Sequence, residues 1–414
     1  MFDPHDVRPL FPALQRTLDG EPVVYLDGPG GTQTPRAVSA AMAGVLDRGI
    51  SNLGGSFASS READVISAAA RSAIADLINS GSNEIAFGQN MTSLTFAVSR
   101  ALARTWQAGD EIVVTRLDHD ANITPWLVAA EERGVTVRWL DFLPESGYDL
   151  DYSALDGLLR ENTRLVAVTH ASNALGTIVD VARVVEAAHS VGARVFVDAV
   201  HYTPHRLVDV QSLDCDFLVA SAYKFFGPHT GFLYGRHELL AQLEAYKVRP
   251  APSDPPGKWE TGTQSFESLA GVSAAVDYLA SPGGSAAAVP RRAALQASME
   301  AIGGHEKSLA AGFLSALENL EGVTVHGPTH KDANRTPTFA VAVAGLTPDE
   351  VQRRLGERGI FVWSGHYYAV EVMRRLGLLE AGGLVRIGFV NYNTTEELAR
   401  VIDALDQLRV GTPQ

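Results

Sequence analysis

A single cysteine, Cys215, stands in a chain of 414 residues. That excludes an internal disulfide and a cysteine-based zinc site, and it suits a reducing compartment. Positive charge is also short. Lys and Arg number 34 against 48 Asp and Glu, giving a formal net charge of −14 and a sequence pI of about 5.3. Nucleic acid and anionic membranes both need a basic face, so neither is expected as a partner. No apolar run is long enough to span a bilayer. The opening MFDPHDVRPLFPALQ lacks a basic n-region and an apolar h-region, so no signal peptide is read there and the expected location is the cytoplasm. A dinucleotide fingerprint is missing too. DGPGGT (Asp27–Thr32) has neither the G-x-G-x-x-G spacing nor the Lys-Ser/Thr ending of a nucleotide loop. HYTPH sets His201 and His205 four apart, but Pro204 lies between them and no Glu stands where a zinc protease carries its base. No metal is expected.

What is present reads as an ordinary globular chain, 46% hydrophobic and 20% charged. Its length suggests two domains. From Val23 to about Leu279, short β-branched runs alternate with alanine-rich helical stretches. EIVVTRL, VTVRWLDF, RLVAVTHA, RVFVDAV and DFLVAS read as strands; PWLVAAEERG and VARVVEAAHSVGA read as helices. Continuous apolar strands alternating with helices predict an α/β fold with a mostly parallel sheet covered on both faces. At SPGGSAAAVPRR (Ser281–Arg292) the composition changes. We therefore expect a large domain over residues 23–282 and a small α+β domain over 283–414, joined by the N-terminal segment 1–22. The small domain should hold a helix over Arg291–Leu320, strands in TFAVAVAGL, IFVWSGH and LVRIGFV, a helix around TPDEVQRRLGERG and a closing helix from Thr395.

Ligands bind beyond the carboxyl ends of strands in an open parallel sheet. Asp118, His119, Asp120 and Asn122 follow one predicted strand; Ser172 and Asn173 follow another. Asp198 and His201 follow a third, and Ser221 and Lys224 a fourth. Taken singly, a strand-end lysine most often snorkels to water. Lys224 is instead walled in by Tyr223, Phe225 and Phe226 before Gly227-Pro228. A desolvated lysine has a depressed pKa and attacks carbonyls. The carbonyl cofactor that fits is pyridoxal 5'-phosphate, which needs an acid beside its pyridinium nitrogen. Asp198, ending an apolar strand, qualifies; a helix N-cap is its ordinary alternative. Thr92 and Ser93 near a predicted helix N-terminus offer a phosphate seat, although both are also common caps. His119 is placed to stack on the pyridine ring, where a lone histidine is more often structural.

The segments SAYKFFGPHTG, DAVH, LDHDANITPW and ASNALGT resemble those of the class V aminotransferase family of pyridoxal phosphate enzymes, fold type I. The nearest branch is the cysteine desulfurases and selenocysteine lyases. The resemblance implies Lys224 as the Schiff-base lysine, Asp198 as the pyridinium partner and His119 as the stacking and proton-transfer histidine. It implies Asn173 near the cofactor's phenolic oxygen and the substrate, Thr92 and Ser221 on the phosphate, and Arg386 gripping the substrate carboxylate. Gly262-Thr263 matches a segment that reaches the neighbouring subunit's phosphate, which implies a homodimer. The departures are specific. The desulfurase cysteine loop here reads SGHYYA, with His366 preserved and Tyr368 in the cysteine's place. His201 replaces a usual glutamine, Tyr223 a usual histidine, and Trp363 stands where relatives often carry an arginine. Cys215, at the start of a buried strand, reads as a core residue. Loss of a β-substituent needs no enzyme thiol, so a β-eliminating carbon–sulfur lyase acting on an L-amino acid or its sulfur or selenium conjugate is expected. An aminotransferase or epimerase shares the first steps. A non-catalytic cofactor-binding protein is the other alternative, against which Lys224, Asp198 and Arg386 all count.

Overall fold

The computed structural model describes residues 2–281, 289–330 and 334–410. Residues 282–288, where the two expected domains meet, lie outside them. The centre is a seven-stranded sheet of β1 (Ile85–Gly88), β2 (Glu111–Thr115), β3 (Thr136–Leu140), β4 (Thr163–Thr169), β5 (Arg194–Asp198), β6 (Phe217–Ser221) and β7 (Gly231–Gly235). Their order is β1-β7-β6-β5-β4-β2-β3. Strands β2 to β6 pair in parallel, and β7 runs antiparallel to both of its neighbours. The β6–β7 connection, residues 222–230, is too short for the parallel crossover of about a dozen residues or more. A hairpin is the only link that it allows.

Alternation along each strand divides the side chains between two apolar clusters. Val113, Val166, Val168, Val195, Val197, Leu218 and Ala220 enter one cluster. Ile112, Val114, Leu165, Ala167, Phe196, Phe217 and Val219 enter the other. Helices α1 (Arg36–Arg48), α2 (Ala58–Ile78), α5 (Val181–Ser190) and α6 (Phe266–Ala280) supply the first face; α3 (Met91–Ala103) and α4 (Thr124–Arg133) supply the second. Both faces are covered, as the continuous apolar strands require.

Helix α7 (Arg291–Leu317) leads into an antiparallel four-stranded sheet of β8 (Val323–His326), β9 (Thr338–Val343), β10 (Trp363–Gly365) and β11 (Leu384–Gly388), in the order β8-β9-β11-β10. Helices α8 (Pro348–Gly356) and α9 (Thr395–Val410) accompany it. A third cluster lies here around Phe313, Phe339 and Phe389, and Val24 and Leu26 join it. The single strand expected in IFVWSGH is two: Ile360–Phe361 pairs in parallel with Val24–Tyr25, and Trp363 onward belongs to the four-stranded sheet. Phe11, fully buried, packs edge-on against Phe226, Tyr278 and Tyr392. Among the described residues no helix is long and apolar enough to cross a membrane.

Candidate active site

The carboxyl ends of β2, β4, β5 and β6 bring together most of the residues expected there. Lys224 closes a short turn after β6. Its Nζ donates to the Pro29 carbonyl at 2.5 Å and lies 4.8 Å from the centroid of the Tyr223 ring. Burial, then the Arg386 guanidinium, lowers the ammonium pKa to about 7, against a partial opposing effect of Asp198 and Asp27. About half of the amine is therefore a neutral nucleophile at neutral pH. Asp198 ends β5, 4% exposed, and accepts from the Val200 amide at 2.9 Å. Burial raises its pKa to about 6, which the Val200 N–H and Lys224 partly offset. A cationic ring nitrogen beside it restores the charged form.

His119 follows β2. Its Nδ1 accepts from the Ala121 amide at 3.0 Å, and burial, then the charges of Lys224, Arg386 and His366, lowers its pKa to about 3. The ring is therefore neutral. One imidazole face is stacked on Tyr368, with centroids 5.4 Å apart and planes at 19°; a stack leaves the opposite face for another ring. Beneath it is a buried network. Asp118 is bonded to Thr115 and accepts from Asn122 Nδ2 at 2.7 Å, while Asn122 Oδ1 accepts from Trp126 Nε1 at 3.0 Å. Burial pushes the Asp118 carboxyl up to about 8. This network anchors the turn that carries His119.

The expected phosphate seat is built from two elements. Asn90 caps α3 by accepting from Ser93 N (2.9 Å) and Ser93 Oγ (3.1 Å), and the Met91 N–H donates to Ser221 Oγ (2.9 Å) at the end of β6. The first-turn amides, Thr92 among them, point out of the helix with no preceding carbonyl to meet them. Ser221 and Ser93 therefore shape the seat through protein bonds. Their spacing depends on Gly231, whose hypothetical Cβ would lie 2.3 Å from the Asn90 carbonyl carbon.

Asn173 and Arg386 come together from different sheets. Arg386 Nη1 donates to the Asn173 carbonyl at 3.1 Å, and its guanidinium lies 4.7 Å from the Tyr367 ring centroid. Burial lowers the Arg386 pKa to about 10. Asn173 Nδ2 donates to the Tyr367 carbonyl at 2.9 Å. His201 Nε2 meets Thr338 Oγ1 (3.0 Å) and Thr336 Oγ1 (3.2 Å), so its ring is spent on the β9 side of the site; burial holds its pKa well below normal. Tyr223 stacks on His229 at 4.8 Å. His366 is exposed, and its Nδ1 accepts from the Tyr368 amide at 3.1 Å. Thr263 is exposed as well, and its side-chain hydrogen bond among the described residues is to Asn52, at 3.5 Å. Within this chain it does not join the Lys224 group. Cys215 is fully buried, and burial pushes its thiol up.

Three participants were missed in the sequence. Asp27 sits in the loop read only as a failed nucleotide motif. The loop does lie in the site: it holds Lys224 through Pro29, and Thr32 Oγ1 donates to the Tyr223 carbonyl at 3.2 Å. Burial raises the Asp27 pKa to about 6, partly countered by its own backbone amide, Arg386 and Lys224. The signal was available, because VVYLD ends an apolar run on a carboxylate just as RVFVD does. The second is Tyr367. It is buried beneath Arg386, whereas its neighbour Tyr368 is 67% exposed. The third is Gly30, whose open Cα accommodates Trp363.

Four buried polar atoms in this group lack a protein partner: Asp27 Oδ1, Asn173 Oδ1, Arg386 Nε and the Tyr367 hydroxyl. Buried polar atoms are normally satisfied, so their clustering around Lys224 calls for a polar ligand. Lys224, Asp198, His119 and the α3 N-terminus fit pyridoxal 5'-phosphate, which calls respectively for an amine, an acid, a stacking ring and a phosphate seat. Arg386 fits a carboxylate.

The comparisons agree. The family model described as aminotransferase class-V matches residues 24–401. A cysteine desulfurase of Serratia proteamaculans is 32% identical over 425 residues, covering 97% of both chains. An aminotransferase-like protein of Gibberella zeae is also 32% identical, over 418 residues and 98% of both. The apo structure of a cysteine desulfurase from Thermococcus onnurineus superposes with a TM-score of 0.89 at 27% identity, covering 100% of this chain and 99% of that one. The seven-stranded sheet, the lysine after β6 and these matches place the chain in the aminotransferase class-V family of pyridoxal 5'-phosphate-dependent enzymes, with the fold type I architecture.

Proposed function

We propose that this enzyme is a β-eliminating carbon–sulfur lyase acting on an L-amino acid conjugate of sulfur or selenium. One observation carries the reading: the loop facing the site presents Tyr367 and Tyr368 rather than a thiol, while Cys215 is buried at the far end of β6. A strand rises ~3.3 Å per residue, so Cys215 lies roughly 20 Å from the Ser221 end. Persulfide formation needs a thiolate at the substrate sulfur. Elimination needs only a base at Cα and an electron sink. The bound cofactor supplies that sink.

The residues divide the work as follows. Arg386 holds the substrate carboxylate, with Asn173 beside it. Lys224, neutral above a pKa of about 7, takes the Cα proton. With the cofactor bound, Asp198 would face the ring nitrogen and favour its protonated form, and His119 would stack on the ring as a neutral imidazole. Thr92, Ser93 and Ser221 form the phosphate seat, and Thr263 completes the seat of a partner subunit in a homodimer. His201 and Tyr223 border the ring, and His366 and Tyr368 close the entrance. We place the enzyme in the cytoplasm, with a large domain over 23–282 and a small one over 283–414 plus 1–22. The stoichiometry balances without an oxidant. The carbon–sulfur bond breaks, the thiol leaves with a proton, and the remaining skeleton takes up water to give pyruvate and ammonium.

The test is a panel of L-cysteine conjugates with thiol, pyruvate and ammonia measured together. Equal release of all three supports elimination. Alanine with a persulfide on Cys215 overturns it in favour of desulfuration. A keto acid that keeps its sulfur identifies an aminotransferase.

A further inference from the structure

We infer that the substituent on the substrate's sulfur is aromatic or similarly broad and apolar, seated against the exposed indole of Trp363, and that Trp363 sets this preference. The inference rests on the elimination reading for the identity of the bond broken, but the seat itself is argued from geometry.

Large apolar side chains in this chain are mostly buried, yet Trp363, which opens β10, is 50% exposed and Tyr368, five residues on, is 67% exposed. Exposed aromatic side chains beside a buried polar site offer a ligand or partner surface. Both are held in place. A Cβ on Gly30 would lie 2.6 Å from Trp363 Nε1, 2.9 Å from its Cδ1 and 3.5 Å from Arg386 Nη2. The indole edge therefore rests on Gly30 beside the carboxylate-gripping guanidinium, one residue from the carbonyl that anchors Lys224. Strand β10 is pinned to α8 by Ser364 N to Gln352 Oε1 (3.1 Å) and Ser364 Oγ to Asp349 Oδ1 (2.6 Å). Tyr368 stacks on His119, and its carbonyl accepts from the Asp120 amide at 2.7 Å.

A substrate whose carboxylate would sit at Arg386 and whose Cα proton would be taken by Lys224, its amine being given over to the cofactor, has one substituent left. That substituent begins at Cβ, and the indole beside Arg386 is the apolar surface that we assign to what Cβ carries. From Gly359 to Val370 there is no Asp, Glu, Lys or Arg. A phenyl ring finds the exposed indole of Trp363 there. The substrates are then S-aryl or S-benzyl conjugates of L-cysteine, or their selenium analogues, in preference to free L-cysteine.

Two amino acids without a leaving group separate the seat from the chemistry. L-Homophenylalanine is isosteric with S-phenyl-L-cysteine, and L-norvaline with S-methyl-L-cysteine. Calorimetric titration of the holoenzyme should show homophenylalanine binding about 10-fold tighter or more, the scale of an added aromatic contact. Trp363→Ala should bring the two within about 2-fold, and Trp363→Phe should keep most of the difference. Equal binding in the wild type overturns the inference. So does a preference that survives Trp363→Ala, or a Trp363→Ala protein that has become monomeric by light scattering where the wild type is dimeric, since Trp363 is then a subunit contact. Tight homophenylalanine binding without thiophenol release from S-phenyl-L-cysteine leaves the aromatic seat standing and removes the elimination reading.

Discussion

Gly231→Ala tests how the phosphate seat is built. Gly231 opens β7 and pairs with Ser221 on one side and Gly88 on the other. A methyl group there would lie 2.3 Å from the Asn90 carbonyl carbon and 2.7 Å from Asn90 Cα and Met91 N. Carbon atoms pack at about 3.5–4.0 Å, so the turn must retreat by more than ~1 Å, and backbone atoms cannot rotate aside. Overpacking of this kind costs ~1–3 kcal/mol. The same displacement loosens the Asn90 cap and the Met91–Ser221 bond, for which a further ~1 kcal/mol is reasonable. We expect a loss of about 2–4 kcal/mol, read as a melting temperature lower by on the order of 5–10 °C. Because the crowded atoms form the start of α3, cofactor affinity should fall with it, by roughly 10-fold for each ~1.4 kcal/mol of seat distortion. The control is Gly157→Ala. Gly157 has nothing within 4 Å of its hypothetical Cβ and lies in the short helix Leu155–Leu158, so a gain of up to ~1 kcal/mol is expected. Differential scanning calorimetry and cofactor titration of both apoproteins decide. A Gly231→Ala protein with wild-type melting refutes the crowding argument; one that melts early but binds cofactor normally shows that α3 does not hold the phosphate.

Four further outcomes are expected. The rate of cofactor uptake by the apoprotein should rise with pH through about 7 and then level off, since only the neutral Lys224 amine attacks an aldehyde; a midpoint near the ordinary lysine value contradicts the buried site. Asp198→Ala should retain some cofactor but lose most turnover, because a charge-assisted hydrogen bond of ~1.5–3 kcal/mol is removed, and unchanged kcat places the carboxylate elsewhere. Glu260→Ala removes both carboxylate oxygens of the Arg71 fork (2.7 Å each) and the acceptor of the Phe87 amide (2.9 Å), leaving a largely buried guanidinium without its counter-charge and with the Ile85 carbonyl (2.6 Å) as its remaining acceptor; denaturant unfolding should show a loss of about 3–5 kcal/mol. Cys215 should resist iodoacetamide in the native protein and react fully in denaturant, and Cys215→Ser should keep its activity.

The strands that build the site were legible one at a time. EIVVTRL, RLVAVTHA, RVFVDAV and DFLVAS are apolar on both faces, and a run of that kind is stable only inside a covered parallel sheet. The burial of Lys224 and Asp198 stood out for a related reason: each is an ionisable group at the end of such a run, where burial is costly. The family followed from several short motifs in order along the chain. Pairing partners did not. IFVWSGH reads as one strand, yet the structure divides it at Val362, because Ile360–Phe361 finds an edge at Val24–Tyr25 far away in sequence. Asp27 enters the site only when β11 closes beside it, through the Asp27–Gly388 bridge. The two tyrosines of SGHYYA are indistinguishable by type and spacing. Both adopt left-handed backbone angles, φ 51° at Tyr367 and 58° at Tyr368. That turn sends one ring under Arg386 and the other to the rim. Residue type and local periodicity determine which segments must be buried and which groups are costly there; which segment meets which, and which of two neighbouring rings is buried against Arg386, depends on contacts across hundreds of residues that no local pattern encodes.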